Sequence, residues 1–386
     1  MNTNLIGVLG AGQLGRMLAL AGYPLGLRFR FLDPSVDAPA GQLAEHHQGA
    51  YDDPAALAQL CAGAHVITYE FENVPVETVR AIEPHAPVFP PPAALEAAQD
   101  RLIEKRFFQQ IGAPVSPFAP VGSQTELDAA LAMIGVPAIL KTRRLGYDGK
   151  GQAVIRTRAA ATAAWAALGV QPLILEGFVD FTRELSIIAA RGRDGATTFY
   201  PLIENQHHAG ILRQSIAPAP MVSAELQAAA EGIARRALDA LDYVGVLTIE
   251  LFEVDGGRWT VDGNLNHYRS PSAVHLLVNE MAPRVHNSGH WTIEGAETSQ
   301  FENHLRAITG LPLGATTARG HSVMLNLIGS APNTAALLNI PGAHVHLYGK
   351  SARPGRKIGH VTIRVDDQVL LAERVTQVKM LIDSSA

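Results

Sequence analysis

Cysteine is nearly absent: Cys61 is the single one in 386 residues. A disulfide framework within the chain is excluded, and a reducing cytoplasm is the expected setting. Cys61 follows an Ala- and Leu-rich helical pattern, which reads as buried filler rather than a nucleophile. Long apolar runs are missing too, since none approaches the roughly 20 residues that span a bilayer, so no membrane partner is expected. No basic stretch precedes an apolar one at Met-Asn-Thr-Asn, and no export signal is expected. Excess positive charge is lacking: 31 Lys and Arg against 36 Asp and Glu give a net charge of −5. That argues against general nucleic-acid binding, and any anionic ligand must be met by local clusters of positive charge. What remains, 47% hydrophobic and 17% charged residues, describes a globular chain long enough for two or three domains.

Taken in order, Leu5 to Leu9 is a short apolar run followed by Gly10-Ala11-Gly12-Gln13-Leu14-Gly15, a helical pattern from Met17 to Ala21, a second run from Arg28 to Leu32, and Asp33. Strand, glycine-rich turn, helix, strand and acid fit a dinucleotide fingerprint, with helix N-terminal amides facing a phosphate. A tight turn with no ligand is the plainer alternative. The run His65 to Tyr69 leads to Glu70-Phe71-Glu72-Asn73, acids at the carboxyl edge where open α/β sheets bind ligands. Pro90-Pro91-Pro92 closes this unit, and a helical pattern from Ala93 to Ile111, carrying Asp100, Arg101 and Lys105, opens the next.

Strands predicted from Pro137 to Lys141 and from Ala153 to Arg156 flank a loop with Gly146, Gly149 and Gly151 among Arg143, Arg144 and Lys150. Glycines let backbone amides curl around phosphate, so the loop reads as a mobile lid; an ordinary flexible hairpin is the alternative. It is not a Walker pattern, because no Gly-Lys-Ser/Thr opens a helix. A strand from Leu173 leads into Glu176-Gly177-Phe178-Val179, whose edge could pair with an adenine, and Glu184 could hold ribose hydroxyls.

The most concentrated polar stretch is Asn279 to Trp291, with Glu280, Arg284, His286, Asn287 and His290 around a Pro and a Gly. It follows the apolar Val274 to Val278, so it should leave the end of a buried element and line a cleft. Glu250 closes the apolar run Gly245 to Ile249. Two carboxylates at strand ends can share a magnesium-type cation, which completes its octahedron with phosphate oxygens and so suggests a nucleoside triphosphate. Near the C-terminus, Val345 to Tyr348 and Ile358 to Val365 alternate like strands around Arg353-Pro354-Gly355-Arg356, a type II turn pattern. The turn draws Lys350 toward Arg356 and Lys357, a cluster suited to a phosphate monoester, or a solvated hairpin tip.

Lys141 with the 146–152 loop, Glu176 to Val179, Glu184, Glu250 and the Asn279 to Trp291 run together resemble the ATP-grasp fold. Within it the chain is similar to the 5-(carboxyamino)imidazole ribonucleotide synthases, the ATPase subunits of phosphoribosylaminoimidazole carboxylase. The most telling pieces are Leu145 to Gly151, Arg284 to Trp291, Ser299-Gln300-Phe301 and His346 to Lys350. The resemblance runs from Gly10 to His360.

It implies an N-terminal parallel α/β domain (1–92), an ATP-grasp region of α+β lobes (93–313, lid lobe about 115–180) and a small β-rich C-terminal domain (314–386). The implied activity is ATP- and bicarbonate-dependent carboxylation of 5-aminoimidazole ribonucleotide by a cytoplasmic homodimer. Two magnesium ions would sit on Glu250 and Glu280. ATP would be held by Arg101, Lys141, Gly146, Tyr147, Asp148, Gly149, Lys150, Gly151, Gln152, Glu176, Gly177, Phe178, Val179, Glu184, His207, Asn279 and Glu280. Bicarbonate would meet Arg284, His286 and Asn287, and the ribonucleotide Gly12, Gln13, Leu14, Glu70, Lys350, Arg356 and Lys357. A sister enzyme joining formate to glycinamide ribonucleotide, a nicotinamide-dependent oxidoreductase using Asp33, and a catalytically silent nucleotide-binding regulator are the alternatives. One departure from the family pattern stands out: an extra stretch around Arg258 to His275 separates the two acids and offers Asp262 as a rival ligand. Glu280 is favoured because the complete Arg284 to Trp291 motif follows it.

Overall fold

The computed structural model describes residues 4–146, 149–169, 171–254 and 275–385. At the start, short apolar runs alternate with helices, and each crossover returns the chain so that the strands run parallel. Leu5–Leu9 (β1), Arg28–Asp33 (β2), Glu45–Gln48 (β3) and Val66–Tyr69 (β4) form that sheet in the order β3-β2-β1-β4. The edge strand β3, Glu-His-His-Gln, has no apolar alternation and is invisible in the pattern.

Phe118–Val121 (β5), Ala138–Thr142 (β6), Gln152–Ile155 (β7) and Leu173–Gly177 (β8) make an antiparallel sheet in the order β5-β8-β6-β7. Glu176 lies on β8, an inner strand, opposite Phe118 of β5 and Ile139 of β6. The next two amides are also engaged, Gly177 donating to the Pro117 carbonyl at 2.8 Å and Phe178 to that of Pro137 at 3.2 Å.

The remaining strands are Arg183–Arg191 (β9), Thr197–Phe199 (β10), Ile203–His208 (β11), Ile211–Ala217 (β12), Gly245–Val254 (β13), His275–Ala282 (β14), His321–Ile328 (β15), Ala343–Leu347 (β16) and Lys357–Val365 (β17). They form one antiparallel sheet in the order β14-β13-β9-β11-β12-β15-β17-β16, with β10 on β9. The C-terminal hairpin therefore continues the central sheet through the β12–β15 ladder, which fixes its loop relative to the cleft.

Ile6, Val8, Phe29 and Phe31 of the parallel sheet share a core with Ile188, Ala190 and Val246 of the central one, bridged by Phe301 and Leu305 of the helix Gln300–Thr309. At roughly 1.5–3 kcal/mol per large buried side chain, this seam holds the N-terminal unit firmly against the central sheet. The single helix expected from Ala93 to Ile111 is two, Pro92–Gln99 and Arg101–Gln110. Asp100 divides them: extended itself, it accepts the Leu102 amide at 3.0 Å as N-cap and binds Arg143 at 2.8 Å and Arg144 at 3.2 Å. These two arginines of the lid are thus already paired with a carboxylate.

Candidate active site

All of these units contribute to one cavity of about 410 Å³, a volume suited to small-molecule substrates. Gln13, Leu14, Glu70 and Glu72 come from the N-terminal unit, Arg101, Arg143 and Gly146 from the next helix and the lid, and Glu250, Glu280 and Arg284 from the central sheet. His207, His286, Asn287 and Lys357 complete the wall.

The two acids lie within strands rather than beyond their ends, which corrects the sequence expectation for Glu250 and for Asn279 to Ala282. Glu250 of β13 stands directly across from Glu280 of β14, and the register then slips by one residue so that Leu251 pairs with Val278. The unpaired Asn279 is a β-bulge, which allows a polar Asn-Glu pair inside an otherwise apolar strand. Glu280 binds Arg101 at 2.8 Å. Burial and the Glu280 charge push Glu250 up to about 7, whereas Arg101, acting against burial, holds Glu280 below the ordinary carboxylate value. A buried carboxylate under such repulsion is a place where a cation relieves strain. Among the described residues no three or more His, Cys, Asp or Glu gather as a metal cage. Two carboxylates without a cage fit magnesium, which takes most of its oxygens from phosphate and water. The rival Asp262 lies outside the described residues.

The wall beneath the lid is built around buried charge. Lys141 of β6 reaches Glu176 at 3.0 Å, and Lys105, absent from the site residues expected, reaches the same carboxylate at 3.5 Å. Against the effect of burial, Lys105, Lys141 and Arg101 pull Glu176 down to about 2. Above Lys141 the lid starts as a hairpin, Lys141 pairing with Gln152. Gly149 and Gly151 have φ of 76° and 72°, a conformation that a side chain would strain. Lys150 is exposed near them; Tyr147 and Asp148 lie outside the described residues. Glu184 bonds the His207 imidazole at 2.8 Å. Burial opposes protonation of His207, but the Glu184 hydrogen bond and the Glu250 charge raise its pKa above the ordinary value.

The Arg284 to Trp291 motif leaves β14 and curls back under the acids. Arg284 is paired with Glu72 of the N-terminal unit and donates to the Val285 carbonyl at 3.0 Å. His286 Nδ1 accepts the Ser288 amide at 3.3 Å, which places the ring proton on Nε2, 3.4 Å from Glu250. Burial and the Arg284 charge keep this imidazole neutral. Its backbone is clamped by Gln300, which accepts the His286 amide at 2.9 Å and donates to its carbonyl at 2.6 Å. The Asn287 amide exchanges two hydrogen bonds with Asn326, at 3.1 and 2.8 Å. Gln300 and Asn326 were not anticipated as supports; Gln300 lies in a quoted motif, but nothing in the sequence pairs Asn326 with Asn287 across 39 positions.

On the remaining wall the glycine-rich turn is occupied. The Gly12 and Gly15 amides both donate to the Glu70 carboxylate, the latter at 2.7 Å. Asp33 accepts the Ala11 and Ser35 amides and the Tyr51 hydroxyl. The dinucleotide reading needs these amides and this acid for phosphate and ribose, so the geometry opposes it. Instead the turn presents Gln13, which accepts from Lys350 Nζ across 337 positions. The Arg353 to Arg356 turn forms as the sequence indicates, with Gly355 at φ 74° and the Arg356 amide donating to Arg353 at 3.0 Å. Arg356 itself is turned onto Ser351 at 2.8 Å. Burial lowers Lys350 to about 8 against the pull of Glu70, with Arg356 and Lys357 adding repulsion.

Three family models match successive stretches of the chain. Residues 1–99 match the ribonucleotide synthetase preATP-grasp domain, 106–301 the ATP-grasp domain and 322–374 the phosphoribosylaminoimidazole carboxylase C-terminal domain. N5-carboxyaminoimidazole ribonucleotide synthase of Pseudomonas aeruginosa is 52% identical over 98% of this chain and 99% of its own. The crystal structure of the Thermus thermophilus synthetase is 56% identical with a TM-score of 0.90, covering 97% of this chain and 98% of that one. The Aspergillus clavatus synthase, solved with ADP and 5-aminoimidazole ribonucleotide, is 30% identical with a TM-score of 0.87 over 99% of both chains. Fold and sequence agree, and the chain belongs to the N5-carboxyaminoimidazole ribonucleotide synthase family of ATP-grasp enzymes.

Proposed function

We propose that this cleft carries the ATP- and bicarbonate-dependent carboxylation of 5-aminoimidazole ribonucleotide in purine synthesis, in a cytoplasmic homodimer. A bicarbonate oxygen attacks the γ-phosphate and ADP leaves. The ribonucleotide amine then takes the carboxyl group from carboxyphosphate, or from CO₂ released by it, and phosphate departs. One observation carries the reading: a single cavity brings the Glu250–Glu280 pair together with Arg284 and His286 and with Gln13, Glu70 and Lys357. A cation site for a triphosphate, donors for a small anion and a cationic corner for a phosphate monoester are what the three substrates need.

In this reading Arg101, Lys141, the 146–152 loop, Glu176 to Val179, Glu184, His207 and Asn279 hold ATP, with Lys141 moving from Glu176 to a phosphate. Magnesium on Glu250 and Glu280 would offset the charge that builds on the β- and γ-phosphates. Arg284 and the His286 Nε2–H donate to bicarbonate, and the Asn326 pairing keeps Asn287 beside them. Lys350, Arg356 and Lys357 hold the ribonucleotide phosphate beside Gly12, Gln13 and Leu14, and Glu70 orients the sugar. Phosphate release from ATP should require bicarbonate and rise on adding 5-aminoimidazole ribonucleotide. Release that needs formate and glycinamide ribonucleotide instead would reject the proposal.

A further inference from the structure

The helix Arg101–Gln110 carries Arg101, Glu104 and Lys105 at spacings that place them on one face. This face meets β14 at the Asn279 bulge, where regular pairing with β13 is interrupted. Val278 and Met281, on either side of Asn279 and Glu280, pack in the core with Ile249 and Leu251. The bulge therefore keeps two consecutive polar side chains out of that core. It also leaves backbone groups that need other partners. Lys105 Nζ, on a side chain 2% exposed, donates to the Val278 carbonyl at 3.2 Å and to that of Asn279 at 2.9 Å. Glu104 accepts the Met281 amide at 2.6 Å. Burying an ammonium is costly, and an apolar side chain would pack a helix on a strand more cheaply. What the charge adds is a fixed position for the two carbonyls preceding Glu280, besides a partner for Glu176 at 3.5 Å.

We propose that Lys105 is a positioning residue for the nucleotide half of the reaction, holding the bulged strand so that Glu280 faces Glu250. The inference rests on reading those two acids as the magnesium pair. It is tested by titrating the whole enzyme with ADP plus magnesium and, separately, with 5-aminoimidazole ribonucleotide. Lys105→Met should weaken magnesium–ADP binding about tenfold or more, since two hydrogen bonds to a charged donor are lost. Ribonucleotide binding should stay within about twofold, which a general loss of structure would not allow. Lys105→Gln keeps an NH₂ donor on a shorter, uncharged side chain and should lose about threefold; it carries the test if the Met variant does not fold. Unchanged magnesium–ADP affinity, equal loss of both ligands, or the same loss for ADP without magnesium, which would trace the effect to Glu176, would overturn the inference. Glu280→Gln in the same titration separates the two readings. If it leaves magnesium–ADP affinity intact, the metal assignment fails; if it weakens binding while Lys105→Met does not, the positioning role alone fails.

Discussion

Two glycine-rich segments line the same cleft and look alike as sequence, but they are built in opposite ways. In the Gly10 to Gly15 turn, the Gly12 and Gly15 amides are satisfied by Glu70 and the Ala11 amide by Asp33. Those three amides are spent on carboxylates, and the side chains of Gln13 and Glu70 join the cleft wall. In the lid, Gly149 and Gly151 sit at positive φ on a hairpin whose arginines are anchored at its root by Asp100. A glycine motif therefore indicates where a chain can curl, and the nearest carboxylate decides whether the amides are free. If the lid covers the nucleotide and the turn meets the ribonucleotide, as proposed, each half of the cleft should fail separately.

The largest separation is expected at Glu280. Glu280→Gln keeps the shape and removes the charge, so turnover should fall about 10²-fold or more if the group stabilises transition-state charge. Ribonucleotide affinity should hardly change, and Asp262→Asn should be nearly silent. The opposite ranking of the two variants, read from initial rates of phosphate release, would move the metal site into the extra segment and remove the bicarbonate role from Arg284 and His286.

The reason Glu280 could be found but misplaced is physical. Leu276, Val278 and Met281 are buried and break the period of two by one residue, and a broken alternation reads as a strand that has ended. A bulge leaves that same trace. Most strands survived the reading because apolar runs and turn glycines are local signals. Lys141 and Glu250 were legible as the ends of such runs, and Gln13 and Lys350 through the family motifs. The Arg101–Glu280, Arg284–Glu72 and Asn287–Asn326 pairings were not, since each joins residues from different elements. No pattern of burial or charge in one segment states its partner in another.

The second separation runs the other way. Lys350→Ala removes a half-buried ammonium from beside Gln13, and a charge-assisted bond contributes on the order of 1.5–3 kcal/mol, so ribonucleotide affinity should fall about ten- to a hundredfold. Magnesium–ADP affinity should remain within about twofold. Calorimetry of both ligands on the variant decides it, and equal losses would mean that the hairpin supports the whole cleft rather than one half.

The smallest effect uses pH to divide the halves without altering the chain. Lys350 is lowered to about 8 by burial, with Arg356 and Lys357 repelling its charge. A lysine is charged below its pKa, so the ammonium is fully present at pH 7 and is lost as pH rises through about 8. A phosphate monoester, with its second pKa near 6, is already a dianion throughout this range and contributes no change of its own. Ribonucleotide affinity should therefore decline between pH 7 and 9.5 by at most about tenfold per unit above the pKa, and binding should take up a proton there. Glu250, at about 7, is ionised over the upper part of that range and adds no further change to magnesium–ADP affinity above pH 8. Lys350→Arg should keep ribonucleotide binding but abolish its decline, because a guanidinium stays charged. A decline of the same size in that variant would trace the titration to another group and leave the ribonucleotide half without its pH signature.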